Sequence, residues 1–544
     1  MKHSHIYQII LLTLLSTVCS SFYAQQFEWA RGASGNVYSN SVVTDGQGNS
    51  YVTGWYEYNA TFGSTQISSV NGSHDIFLAK YDNAGNLLWV RSAGGTGSEN
   101  SASVALDQQG YCYITGEFQL TATFGTRSVT SSGGYDIFVA KYSPAGEILW
   151  VKKAGGADHD FGLSICKGYH GALYITGYFS GTANFGAHPI TSIGGWDIFL
   201  ARIDTAGQFL WSKGAGGLLY DYGTDVTVDT IGNAYLTGYF SSNAAFDTMV
   251  VVGSGSADAF ISKADKSGKF LWVKPAGGSM NDYAWGITSD HIGNSAIAGY
   301  FEGTMQIGGT SLVSAGNTDV FLISYNTNGE VQWAQSGGGS QSEYLSDVFK
   351  TPDGSVYITG RFEGAAWFQQ KSLTSFGSSD AFVIKYSNAG NVEWATQIGS
   401  ASVDYGNGLS SEASGHIYTV GYHSNAVFGT ITNVPLRGYI TKINTITGVK
   451  EVDSFSPDGY VLNQNYPNPF NPSTNITFQI AKSGFVSLKV YDVLGNLVKV
   501  LVHQALQKGS YEVGFGGEGL AGGVYLCRLE AGDAQQTMKM LLLK

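Results

Sequence analysis

Tryptophan returns along this chain on a fixed stride. Trp29, Trp89, Trp150, Trp211, Trp272, Trp333 and Trp394 are separated by 60 residues once and by 61 thereafter. Two other markers keep the same register: Gly54, Gly116, Gly177, Gly238, Gly299, Gly360 and Gly421, and Asp75, Asp136, Asp197, Asp258, Asp319 and Asp380. Three markers in one phase over most of the chain define a repeat architecture. Each period is one supersecondary unit that cannot hide both apolar faces alone, so the units must stack on one another.

One period reads as strands. In the second, Ser101–Asp107 is small-residue and aliphatic, Tyr111–Phe118 and Asp136–Tyr142 alternate apolar and polar, and Glu147–Lys153 carries the Trp. Alternation of this kind marks half-buried strands. Short turns separate the first from the second and the third from the fourth, so the four strands form a meander, one blade of a β-propeller. The first three strands recur seven times, but the fourth has eight candidates: Val449–Val452 has lost its Trp, whereas Phe27–Ala30 has one. The expected fold is therefore all-β: a seven-bladed β-propeller over residues 25–450, with four-stranded blades, a repeat of about 61 residues, and the N-terminal strand closing the last blade. Closure removes the sheet edges that would otherwise invite aggregation.

Composition narrows the functional classes. Glycine is abundant at 74 residues, aromatics make up 13% and charged residues only 13%, which suits short strands and tight turns. Disorder would need low hydrophobicity and high charge. A net charge of −12 argues against a nucleic-acid partner, which needs a basic footprint. Residues 1–24 read as a signal peptide, with Lys2 and His3 before an apolar core at Ile9–Val18 and Ala24 before Gln25. No later apolar run is long enough to span a bilayer. Cys112, Cys166 and Cys527 would remain after cleavage, an odd number that argues against a disulfide framework.

The blocks "GNAYLTGYF", "GGYDIFVAKY" and "GEILWVKKAGG" resemble the bacterial β-propeller repeats called SBBP repeats over about residues 27–452. The resemblance implies a propeller found outside the cell and carries no reaction. After a linker at 451–459, residues 460–544 contain six short strand-like runs that fit a small Ig-like β-sandwich. There "NYPNPFNPST", "VSLKVYDVLGNLVKVL", "GSYEV", "LAGGVYLCRLEAG" and "MKMLLLK" resemble the type A C-terminal sorting domain of the type IX secretion system. That resemblance implies the type IX machinery as a partner, transit through the outer membrane, and a secreted or cell-surface location.

A meander brings the fourth-to-first and second-to-third connections out on one face. The second-to-third connection is long, about Gln119 to Tyr135 in the second period, and extra length on one face points to a binding face. Ten residues after each internal Trp stand Glu99, Asp160, Asp221, Asp282, Glu343 and Asp404, four of them followed by Tyr222, Tyr283, Tyr344 and Tyr405. As ligand-binding residues they would ring the central opening and take a cation, calcium being the candidate, or a sugar stacked on tyrosine. As structural residues each acid would accept N–H bonds from its own loop, and repetition in every unit favours that role. No catalytic constellation, metal-ligand spacing or cofactor motif is evident, Asp158-His159-Asp160 included. The expectation is a monomeric, non-enzymatic binding module for a glycan, peptide or surface component. A purely structural spacer comes second and a polysaccharide-active enzyme third.

Overall fold

The computed structural model describes residues 26–543 apart from 413–414, 430, 432–433, 436, 445–449, 454–458, 483, 507, 518–519 and 533. The expected signal peptide lies outside the described residues. The described chain is all-β, its one helical element being a single 3₁₀ turn at Tyr169–Gly171.

The fourth period shows the unit. Asp221–Val228, Ala234–Phe240, Asp258–Ala264 and Phe270–Ala276 pair in that order as an antiparallel sheet. Ala234–Phe240 alternates faces as its pattern predicts, yet nearly every side chain is buried. Neighbouring units cover both faces, so clusters such as Leu173, Phe199, Ile137 and Val139 draw on two adjacent periods.

Five Trp of the series donate a hydrogen bond to the following unit. The Trp211 indole N–H donates to Lys266 O at 3.1 Å and that of Trp150 to Thr205 O at 3.2 Å, both in the next third-to-fourth turn. Those turns need glycine twice over. Gly268 sits at φ +85°, and a Cβ there would lie 3.0 Å from the Trp211 ring.

The long second-to-third connections are not open loops. Those of the first six units hold a short β-hairpin; in the second, Thr121–Phe124 with Arg127–Thr130 pairs with the fourth strand of the preceding unit through Ala93↔Phe124 and Gly95↔Ala122. Phe124, Phe185, Phe246 and Phe368 from these hairpins are fully buried. Much of their length is spent on packing.

The first strand, Gln26–Thr44, serves two sheets. Its first half pairs with Arg437–Asn444, its second half with Ser50–Phe62. Because Gln26–Gly32 fills the place beside Arg437–Asn444, the rival candidate is free to go elsewhere. Lys450–Asp453 instead pairs with Gly509–Gly516 in the C-terminal domain. The expected linker at 451–459 is therefore strand as far as Asp453, while 454–458 lie outside the described residues.

The C-terminal domain has two four-stranded antiparallel sheets. One orders Lys450–Asp453, Gly509–Gly516, Ser473–Ile480 and Val461–Leu462, the other Leu497–Leu506, Gly484–Tyr491, Gly523–Ala531 and Ala534–Leu542. One core built on Ile476, Phe478, Leu488, Val513, Leu529 and Met540 joins them. Cys112, Cys166 and Cys527 are free thiols.

Candidate binding site

The ten expected site residues divide into two groups. The six acids are fully buried, each at 0% exposure, so none presents a carboxylate to solvent. Each closes its own loop: Gly217 N–H donates to Asp221 Oδ2 and Gly278 N–H to Asp282 Oδ2, both at 2.7 Å. The same four-residue contact joins Gly95 to Glu99, Gly156 to Asp160 and Gly339 to Glu343, while Ser400 Oγ takes the donor's place for Asp404.

Each acid also lies beside a marker aspartate. A Cβ on Gly155 would fall 2.8 Å from Asp160 Oδ2 and 2.9 Å from Asp136 Oδ1, so only glycine fits between the two carboxyls. Burial first, then repulsion from the paired aspartate, pushes Glu99 and Glu343 up to about 8 and Asp160 and Asp282 up to about 7. Asp136 Oδ1 and Asp160 Oδ1 are buried without a hydrogen-bond donor among the described residues. The arrangement holds a loop, and among the described residues no group of three or more ligating side chains forms a metal site.

Tyr222, Tyr283, Tyr344 and Tyr405 go elsewhere. Each faces a cross-strand partner, Tyr239, Tyr300, Arg361 and Tyr422 respectively. The pairs then touch from unit to unit: Tyr178–Tyr222, Tyr239–Tyr283 and Tyr300–Tyr344 have ring centroids 4.6, 4.6 and 5.0 Å apart. Arg361 lies over both Tyr344 and Tyr405, at 4.4 and 4.7 Å. Tyr422 stacks on Tyr38 at 4.6 Å, and Tyr38 on Trp55 at 4.1 Å. The rim thus runs from Phe161 through the later units to the first. The second unit alone interrupts it, placing Asn100 and Glu117, hydrogen-bonded at 2.9 Å, in the aromatic positions.

Just below the rim, every innermost strand carries a β-bulge. The bulged residues are Asn40, Ala102, Leu163, Thr224, Trp285, Ser346 and Asn407, one per unit, and all line a single cavity of about 220 Å3. Bulges re-aim side chains in this way. Asp225 and Asp347 share the cavity wall, and each accepts a backbone N–H from the next unit, from Ile287 at 2.8 Å and Leu409 at 2.7 Å. Burial raises both, Asp225 to about 6 and Asp347 to about 8, the latter also repelled by Asp225.

On the outer side, Trp196 joins the rim to an exposed apolar ridge. Its ring lies 5.0 Å from Tyr178 and 5.6 Å from Tyr220, beside Ile193, Leu218 and Leu219, which are exposed. Asp158 and His159 are exposed too, and His159 Nδ1 accepts from Tyr135 N–H instead of joining Asp160. Sequence reasoning missed Trp285, Arg361, Asp225, Asp347 and the 218–220 ridge because it followed the repeated residues. The available signal was the opposite one, departure from the repeat at an equivalent position.

Two parts of the chain match known families. Residues 464–543 match the family described as "Secretion system C-terminal sorting domain", and residues 23–55 match "Beta-propeller repeat", the SBBP family. The chain therefore carries a β-propeller repeat and a type IX sorting tail, and the tail directs it to the cell surface or the extracellular space. It is similar to an uncharacterized WD repeat-containing protein of Acanthamoeba polyphaga mimivirus, 23% identical over 77% of this chain and 37% of that one. It is also similar to the regulatory protein FlaEY of Caulobacter vibrioides, 24% identical over 62% of this chain and 38% of that one. The chain spans less than two fifths of the length of either relative. A solved structure of a DUF4221 family member from Bacteroides vulgatus aligns with TM-score 0.30 and 10% identity over 77% of this chain and 97% of that one. Among the described residues no helix is long and apolar enough to cross a membrane.

Proposed function

We propose that the repeats close into a seven-bladed ring and that this ring is an extracellular binding module, monomeric and non-catalytic, taking its ligand at the aromatic rim above the central cavity. The contact of Tyr422 with Tyr38 carries the closure, because it returns the rim from the last unit to the first. A cavity lined by one bulged residue from every unit supports the same count. The C-terminal domain delivers the ring to the type IX machinery. The capped acids need no resident metal, calcium included, because each already spends an oxygen on its own loop.

The ligand class that suits the rim is a glycan, since half-buried tyrosines with an adjoining half-buried Trp196 and exposed Tyr220 offer ring faces and hydroxyls together. Screening the purified protein on a glycan array, with calcium and with EDTA, tests this. Binding that Trp196→Ala and Tyr220→Ala abolish, and that EDTA leaves unchanged, is the expected result. No binding anywhere favours the second reading, a structural spacer, which the repeated loop caps would serve equally well.

A further inference from the structure

Seven equivalent positions on the second strands of the units hold Trp55, Glu117, Tyr178, Tyr239, Tyr300, Arg361 and Tyr422. Only one is a cation. Arg361 is clamped between Tyr344 and Tyr405, its guanidinium carbon 4.4 and 4.7 Å from their ring centres. A cation–π contact of this kind engages the charge without spending the N–H donors, which stay for a ligand. Among the described residues no carboxylate forms an ion pair with it, although the chain carries a net charge of −12. Its charge meets ring faces only, so the carboxylate it would pair with is left for a ligand to bring. Its register puts it beside Tyr344, two residues before Ser346 in the cavity wall.

Resting on the glycan reading of the rim, we propose that Arg361 is its specificity-determining residue and selects a saccharide bearing a carboxylate, a uronic acid. A guanidinium edge matches a planar carboxylate with two parallel N–H···O bonds, a geometry that neither a hydroxyl nor an ester provides. The tyrosines beside it supply apolar faces for the pyranose ring. Asn40 and Asn407 on the cavity wall already donate their amide N–H groups to Asn100, Ser101 and Ser39, and keep their amide oxygens to accept from its hydroxyls.

The test is calorimetric titration of the full chain with oligogalacturonates, their methyl esters and dextran sulfate. The wild type is expected to bind the acid at least about tenfold more tightly than the ester, the scale of one charge-assisted contact. Arg361→Gln should bring the acid down to the ester's affinity and leave the ester unchanged. Arg361→Tyr restores the residue of four equivalent positions, so it should fold at least as well while losing the same preference. Equal affinity of the wild type for acid and ester, or an acid preference that survives in both variants, overturns the assignment, as does tighter binding to dextran sulfate than to either. If acid and ester both fail to bind, the glycan reading itself has failed. If both bind alike, only the role of Arg361 has.

Discussion

The indole N–H of Trp29 donates to the carbonyl oxygen of Asn83 at 3.0 Å, across 54 residues of chain. Trp29 lies in the strand segment paired with Arg437–Asn444, whereas Asn83 belongs to the third-to-fourth turn of the first unit. The contact repeats what Trp89 makes to Pro144 and Trp333 to Asn388 within the chain. The N-terminal segment thus makes the same seam between the last and first units that covalently consecutive units make.

Trp29 is 7% exposed, and Trp29→Ala should cost about 3 kcal/mol, in the range for large aromatic truncations in a core. Trp211 is only half-buried, so Trp211→Ala should cost less. Urea unfolding of both variants checks the order. Deleting residues 26–33 should lower the midpoint of the whole repeat region in one transition, and an unchanged midpoint would refute the seam.

Asp221→Ala removes the acceptor for Gly217 N–H at 2.7 Å and for Ser241 N–H at 3.0 Å. Orphaning a buried donor costs about 1–3 kcal/mol, and the melting temperature should fall by several degrees. Calcium should not raise the melting temperature of the wild type. A calcium-dependent rise that Asp221→Ala abolishes would make these acids ligands after all.

Stability should fall as pH rises from 5 to 9. Glu99, Glu343 and Asp347 stand at about 8, and Asp160, Asp221 and Asp282 at about 7, all above their unfolded values. A carboxyl raised on folding contributes stability that is complete below its unfolded pKa and disappears as pH passes the folded one. Thermal melts at half-unit intervals should decline most steeply between about pH 5 and 7 and level off once pH passes 8. Glu343→Gln should flatten part of that slope.

Fusing residues 455–544 to a periplasmic reporter should carry it across the outer membrane of a host with type IX secretion. Truncating the last strand, Ala534–Leu542, which pairs fully with Gly523–Ala531, should leave the reporter in the periplasm.

Most of the architecture was legible because burial is periodic. Alternation in "YCYITGEF" and "DIFVAKY" gave the strands, and the Trp at 61-residue steps gave the seams. The candidate site was legible by halves. Spacing brought out Asp221 and Tyr222 together, but neighbours on a strand point to opposite faces, so one became a buried cap and the other part of the rim. Glu412, His416 and Lys442, brought together with Glu28 where the N-terminal strand enters, escaped notice because nothing in their spacing links positions some 400 residues apart.

The amino-acid order alone determined the unit, its strands, the extra N-terminal copy and the sorting tail, because each depends on local pattern and fixed spacing. The tertiary structure decided that the acids are sealed, that the long connections are packing hairpins, and that Arg361 stands between two tyrosines. Those outcomes depend on which side chains meet across neighbouring units, and that geometry exists only once the units are packed side by side.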